Sequence, residues 1–406
     1  MLATLIPLFD ETEAVKAYSL FTQRKNSLLN PSMFSTATFD GAGSILGLEL
    51  IDQIGLETIA SDKEVFIEVS PVSVYVPINE QCKAPHDKIV LLMDPRITPD
   101  ESTVARLHEL KNMGYKLAMR KLAVIDFEKY RPILLLLDYV LLNHAKIDIE
   151  KAKIYFGRLF PNIKLCAVNV NSQKDFDKLK AKGGYEFYEG QFFRAPVKKS
   201  EREVAPLKVN YIELINVVNA PDFDLTKAAD VIGRDTGLVV SLLKIANRLS
   251  VNSEVTSIRH AVAMLGQKEL KRWINTAVTK ELCADKPNEI MRYTLIRARF
   301  AEELAGLFDM AGLADELFLM GLFSFLDVML DKPMKEALKM VKVSKEIEKA
   351  LTGKGGELAP VLDFIHHYEA ADWQEVSRLL ILQEIDDKSV YEAYQSSMEW
   401  YHDLFA

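Results

Sequence analysis

Cysteine, histidine and glycine-rich loops are all scarce in this chain, and each shortage removes a class of chemistry. Three cysteines occur in 406 residues, Cys82, Cys166 and Cys283, far apart and with no CxxC pair. That spacing offers no zinc site and suits a reducing compartment. The seven histidines offer no metal pair either. His366 and His367 are adjacent, so on a helix they point about 100° apart instead of stacking at i and i+4. His86, His108, His144 and His402 have no partner at ligand spacing. His260, on a helical turn beside apolar residues, reads as a buried, hydrogen-bonded side chain. No GxSxG, no Ser/His/Asp order and no phosphate loop is found; Gly353-Lys354-Gly355-Gly356 lacks the Walker spacing and reads as a turn.

Long apolar runs are missing too. The longest, Ile133–Leu137 resuming after Asp138 as far as Leu142, is half the roughly twenty residues of a membrane helix. The start, Met1-Leu2-Ala3-Thr4-Leu5-Ile6-Pro7-Leu8, lacks a basic secretory n-region and reads as a first strand. These features lead to the expectation of a cytoplasmic protein that does not enter a membrane. A net charge of -8 argues against a nucleic-acid surface spread over the whole molecule and leaves room for a local basic patch. Hydrophobic residues at 49% and charged ones at 27% are ordinary for a globular chain, and 406 residues suggest two domains.

What is present is a change of period near residue 200. Before it, strand and helix signals alternate: Val65-Phe66-Ile67-Glu68-Val69, Lys88–Met93, a helix over 99–113, a strand over 115–120, strands over 134–142, 163–170 and 185–188, with a helix over 174–182. Such alternation points to a parallel α/β barrel, whose functional groups sit at the C-terminal ends of the strands. The pivotal strand, Tyr115-Lys116-Leu117-Ala118-Met119, reads as half-buried and ends in Arg120-Lys121. Two adjacent cations cannot hold a divalent metal. Next, Pro196-Val197-Lys198-Lys199-Ser200-Glu201-Arg202-Glu203 is charged, has no apolar face and reads as a linker. Beyond Leu207 every block is helical in period, with Asp222 or Asp224 able to cap the second helix and Gly266 placed to stop a helix over 258–265.

The first 197 residues resemble the barrel of EAL phosphodiesterases, which hydrolyse cyclic di-GMP. The resemblance rests on Ala17-Tyr18-Ser19-Leu20-Phe21, Phe66-Ile67-Glu68-Val69-Ser70-Pro71, Ile89–Asp94, Leu117–Leu122, Asp138–Asn143, Ala167–Asn171 and the closing Glu189-Gly190-Gln191-Phe192-Phe193-Arg194-Ala195-Pro196. It implies that Ser19, Leu92, Val168 and Asn171 stand where the family has glutamates. It places Glu68 at a ligand asparagine, Arg120 and Lys121 at two aspartates, Leu141 at the catalytic lysine, Asn143 at an aspartate and Glu189 at a glutamine. Magnesium or manganese needs several oxygen ligands, so a pocket altered in this way is expected to be unable to hydrolyse by the family's route.

The helical half resembles the HDOD domain, a relative of the HD phosphohydrolases. The carrying residues are Ile258–Gly266, Leu270-Lys271-Arg272-Trp273, Arg297-Ala298-Arg299-Phe300 and Glu316–Asp327. Here the His-Asp pair of true HD enzymes becomes Ser324-Phe325, and their upstream histidine falls near Tyr293. Met320, Phe323, Phe325 and Met329 read as core in preference to a partner groove.

The expected architecture is a TIM-like, EAL-like barrel over 1–197, a linker over 198–206 and an all-α HDOD domain over 207–406. The resemblance implies a catalytically inactive bacterial regulator of signal transduction, in motility or biofilm control, acting through protein partners with the HDOD part as output scaffold. No cofactor, metal or catalytic residue is expected. Arg120, Lys121, Glu68, Asn143 and Glu189 are the remnant of the pocket, and two readings of it stay open. Either its cations receive the phosphates of cyclic di-GMP or another anion, as a non-hydrolysing receptor, or they pair with Glu68 or Glu189 and hold the site closed. Barrels of this kind often pair through their helical faces, which leaves room for a homodimer.

Overall fold

The structure is a computed structural model; it describes residues 1–24, 26, 28, 43–61, 63–194, 206–220, 222–250 and 254–405. The expected linker lies outside these residues except for Pro206, which opens a helix. Packing divides the chain into two compact units, Met1–Ala195 with Arg299–Ala314 and Val361–Ala406, and Pro196–Ala298 with Asp315–Pro360. The helical residues expected as one domain, 207–406, are therefore shared between them.

In the first unit eight strands close into a barrel in chain order: β1 (Leu2–Phe9), β2 (Val15–Gln23), β3 (Glu64–Glu68), β4 (Ile89–Met93), β5 (Lys116–Arg120), β6 (Tyr139–Asn143), β7 (Lys164–Val168) and β8 (Phe187–Glu189). From β2 to β8 every neighbour is parallel, but β1 is antiparallel to both β2 and β8. The wholly parallel barrel expected from the sequence is corrected on this point. The β1–β2 connection is only Asp10–Ala14, and a parallel crossover takes about a dozen residues or more. Asp10 closes that turn, its Oδ1 accepting from the Thr12 and Ala14 amides at 2.8 and 3.0 Å.

Helices α1 (Leu46–Ile54), α2 (Leu56–Ala60), α3 (Glu101–Asn112), α4 (Arg131–Leu134), α5 (Ile149–Leu159) and α6 (Gln173–Lys182) connect the strands. Two sequence expectations change here. The strand over 134–142 begins only at Tyr139, because Arg131–Leu134 is a turn of helix with Pro132 in its first turn, where a missing N–H costs nothing. β5 is buried on both faces: Ala118 belongs to the barrel interior, while Leu117 and Met119 are equally inaccessible on the other face. An apolar/polar alternation cannot register a strand with a core on either side.

The same unit contains α16 (Ala359–Glu369) from Val361 on, α17 (Trp373–Leu382) and α18 (Asp387–Asp403). They are joined to the barrel by polar contacts. Tyr368, fully buried, has its hydroxyl 3.3 Å from the Ala3 amide, and Gln23 and Asn26 donate to Ser377 at 3.0 and 2.9 Å. Arg194 pairs with buried Glu369 at 3.1 Å.

The second unit is helical: α7 (Pro206–Val218), α8 (Leu225–Ile232), α9 (Thr236–Leu249), α10 (Ile258–Leu282), the first part of α11 (Asn288–Leu304), α12 (Ala314–Phe323) from Asp315 on, α13 (Leu326–Leu330), α14 (Met334–Ala337) and α15 (Lys345–Leu351). Asp224 caps α8, accepting from the Thr226 amide at 2.7 Å. Gly266 interrupts α10 with φ 73° and ψ 174°, as its helix-stop reading predicts. His260 is exposed, against the buried role expected of it, because the first turn of α10 buries Ala261 and Val262 and leaves Arg259 and His260 on its solvent side. Met320, Phe323, Phe325 and Met329 are core. Among the described residues no helix is long and apolar enough to cross a membrane.

Candidate functional site at the barrel rim

Successive residues of a strand face opposite sides, so each barrel strand offers every second side chain to the interior. The interior core contains Ala17, Phe66, Val90, Leu92, Ala118, Leu141, Cys166, Val168 and Phe187. Stepping two residues toward the C-terminal ends from these positions adds Ser19 and Phe21 on β2, Glu68 on β3, Arg120 on β5, Asn143 on β6 and Glu189 on β8. This layer coincides with the positions singled out by the motifs, and the pairings Glu68 to Leu92, Arg120 to Leu141, Asn143 to Val168 and Val168 to Glu189 fix its register.

Glu189 is the centre of the layer. It is 4% exposed, yet both of its oxygens have partners: Ser19 Oγ donates to Oε2 at 2.7 Å, and Arg120 Nη2 lies 3.5 Å from Oε1. Arg120 also sets its guanidinium carbon 4.7 Å from the Phe21 ring centroid. Its Nε and Nη1 are buried with no hydrogen-bond partner among the described residues. The structure thus brings together Arg120 and Glu189 from the expected set and adds Ser19 and Phe21.

The other three expected residues are placed differently. Lys121 is exposed and leaves the strand in the left-handed region, at φ 60°. Its charge reaches Asp94: burial works against ionisation of that carboxyl, but hydrogen bonds from Arg96 and the charges of Arg96 and Lys121 hold it below the usual range. Asn143 is half-buried and spends its side chain locally, its Oδ1 accepting from the Ala145 amide at 3.0 Å in the turn after β6. Glu68 is half-buried at the end of β3, and Arg96 feels its charge. The Asp94–Arg96 pair, with Arg96 Nε 2.9 Å from each carboxylate oxygen, was not singled out in the sequence. Its only signal there is an Asp-x-Arg step just past β4.

This donor set does not fit a divalent cation. Magnesium or manganese takes about six oxygen ligands. The carboxylates at the rim are Glu68, Glu189 and, two residues past Leu92, Asp94; Glu189 is already bonded to a hydroxyl and a guanidinium, and Asp94 to Arg96. Arg120 adds a fixed positive charge, and Leu92, Leu141 and Val168 supply hydrocarbon. Burial pushes the Cys166 thiol well up, with Glu189 and Glu186 adding to the effect, so it is not a ready thiolate. Among the described residues no group of three or more His, Cys, Asp or Glu side chains is arranged to hold a metal ion.

In the second unit a guanidinium lies against Ser324 and Phe325, which stand where HD enzymes have their His-Asp pair. Arg297, 3% exposed, donates from Nη1 to Ser324 Oγ at 2.7 Å and stacks 4.4 Å over the Phe325 ring, beside which Tyr293 packs edge-on at 6.5 Å. The nearby Asp327 carboxyl is pushed up to about 6, first by burial, with the Val328 amide and Arg297 opposing the shift.

Comparison with known proteins gives these arrangements their context. The HDOD domain family model matches residues 204–352. An uncharacterised Bacillus subtilis protein, YuxH, is 26% identical over 409 residues, covering 98% of this chain and 97% of its own length. A Vibrio cholerae protein named cyclic di-GMP phosphodiesterase CdgJ is 26% identical over 326 residues, covering 79% of this chain and 74% of its own. Solved structures with similarity include the EAL enzyme Bd1971 bound to cAMP and cyclic di-GMP, at TM-score 0.37 and 16% identity over 48% of this chain and 62% of that one. A standalone EAL protein from Vibrio cholerae O395 bound to cyclic di-GMP gives TM-score 0.36 and 17% identity over 47% of this chain and 89% of that one. The HDOD match falls in the helical half, where the motifs place that resemblance.

Proposed function

We propose that this chain is a non-enzymatic bacterial regulator, in which an EAL-like barrel has exchanged metal-dependent hydrolysis for a self-neutralised interior and the HDOD domain serves as output scaffold. The observation that carries the reading is the Ser19–Glu189–Arg120 group, where a hydroxyl and a guanidinium, at positions the resemblance assigns to family carboxylates, are bonded to Glu189 and leave no acidic cradle for a cation. The relationship to a protein named as a cyclic di-GMP phosphodiesterase supports a place in the same signalling system. The protein works in the cytoplasm through protein partners, in control of motility or surface attachment.

Incubation of the full chain with cyclic di-GMP and manganese is expected to give a flat time course. Manganese-dependent turnover that disappears in Glu68→Gln or Glu189→Gln overturns the proposal. In the native cell, Glu68→Gln is expected to restore swimming and attachment to a deletion strain as fully as the parent does.

One observation favours a second reading. Arg120 Nε and Nη1 are buried without a hydrogen-bond partner among the described residues, and an unspent guanidinium fork suits a phosphate. As a receptor the barrel would bind cyclic di-GMP without cleaving it. Calorimetry separates the two: saturable heat at micromolar ligand that is lost in Arg120→Met supports the receptor, and no heat removes it.

A further inference from the structure

We infer that the second compact unit carries a ligand pocket of its own, separate from the remnant at Ser324-Phe325 and shaped for a small phosphorylated ring compound of mononucleotide size. The pocket is a cavity of about 290 Å³. One wall comes from α10 just after its break. With Gly266 at φ 73° the helix restarts at Gln267, and Lys268, Lys271 and Arg272 then fall at i, i+3 and i+4 on one face, followed by Asn275 a turn later. Phe223 and Phe318 also line it, each beside the α10 wall, with Gln267 Nε2 donating to the Phe223 carbonyl at 3.2 Å and Arg272 over the Phe318 ring, and Asp315 is the carboxylate of the lining.

Three cations within one turn repel each other, and in a chain of net charge -8 their grouping is a local reversal of sign. Neither Lys268 nor Lys271 has an ion pair or side-chain hydrogen bond with another described residue. Arg272 is held with its guanidinium carbon 5.5 Å from the Phe318 ring centroid. An anion relieves the repulsion, and a phosphate takes charge-assisted hydrogen bonds from ammonium and guanidinium groups together.

The remaining walls suit a flat ring. Phe318 is 5% exposed and Phe223 half-buried, so both present apolar ring surface to the cavity. Asn275, 1% exposed, is fixed by reciprocal bonds with Asn219 at 3.1 and 3.4 Å, which gives the floor of the cavity a defined polar edge. The volume lies just below the range of about 300–1,000 Å³ typical of small-molecule sites. It accommodates one ring and one phosphate, half of a cyclic dinucleotide.

The test is calorimetry on the full chain with 5′-AMP and 5′-GMP, with adenosine, guanosine and inorganic phosphate as the separated halves. The expected result is saturable binding of at least one mononucleotide, one per chain and tighter than about 1 mM, with neither the matching nucleoside nor phosphate binding in that range. The double variant Lys268→Gln/Lys271→Gln is expected to weaken binding by about tenfold or more. Its melting point should be no lower than the parent's, since neither lysine is engaged in the fold and their mutual repulsion is removed. The inference is overturned if neither mononucleotide gives saturable heat, if phosphate alone binds as well, or if the double variant binds like the parent.

Discussion

Arg120 and Glu189 show how much a single residue type can decide. Both are largely buried, with side chains 13% and 5% exposed, so each needs the other's charge. Removing one member of such a pair strands the other, whereas removing both charges is close to neutral. Arg120→Met is expected to lower stability by about 3 kcal/mol, and Arg120→Met/Glu189→Gln to recover most of that loss, as a denaturant double-mutant cycle would read out. Additive losses would show that the two groups do not depend on each other. Asp327 offers a pH-dependent counterpart. Its folded value of about 6 lies above the ordinary 3.8, so its contribution favours folding below the ordinary value and is lost as pH rises through about 6. Asp327→Asn is therefore expected to leave stability unchanged near pH 4 and to raise it above pH 7, by at most about 3 kcal/mol. Thermal midpoints at the two pH values check this, and equal shifts at both would refute it. The rim positions Ser19, Glu68, Arg120 and Glu189 were legible through the motifs that resemble the EAL barrel, and Arg120 also as the C-terminal end of a strand. Their pairing was not. Sequence spacing carries no information on which of seven neighbouring strand ends a guanidinium will reach, so Arg120 was assigned equally to Glu68 and Glu189.

At the level of elements, two glycines permit approaches that no other residue allows. Gly190 follows β8 at φ 158°, and a Cβ there would lie 2.0 Å from the Val170 carbonyl oxygen. The backbone crosses at this point, with the Val170 amide donating to the Glu189 carbonyl at 3.0 Å and the Phe192 amide to the Val170 carbonyl at 3.1 Å. Gly321 lets α12 pack on α11, where an added Cβ would sit 2.7 Å from both Ala298 Cα and the Arg297 carbonyl oxygen. Overpacking of this kind typically costs about 1–3 kcal/mol. Gly321→Ala is expected to fall in that range and Gly190→Ala beyond it, since its clash is with backbone that cannot yield. Urea midpoints rank the two, and an unchanged midpoint for either would show that the neighbouring backbone moves aside. The helices of the second half were readable because amphipathic periods and caps such as Asp224 are local signals. β1 was misread in direction because the sequence marks a strand but not its sense. Only the shortness of the Asp10–Ala14 connection forces the hairpin.

Across the whole chain, the least legible feature is that residues 361–406 belong to the same compact unit as the barrel. Amphipathic period identifies the face that a helix buries, not the element that covers it, and α16, α17 and α18 carry the same signal as the helices before them. Their contacts explain the arrangement. Tyr368 is fully buried, and Ser377, which is also fully buried, receives hydrogen bonds from Gln23 and Asn26 beside β2. Ending the chain at residue 360 is expected to leave barrel surface exposed and to give aggregated protein. A soluble truncated chain with a sharp melt would contradict that view, as size-exclusion chromatography and calorimetry would reveal.

The central claim, that a guanidinium–carboxylate pair has replaced cation chemistry in the barrel, meets its most direct test in manganese titration of the full chain, followed by electron paramagnetic resonance with and without cyclic di-GMP. All added manganese is expected to give the spectrum of the free aquo ion in both cases. One or two tightly held ions per chain, broadened on adding the nucleotide and lost in Glu68→Gln, would contradict it.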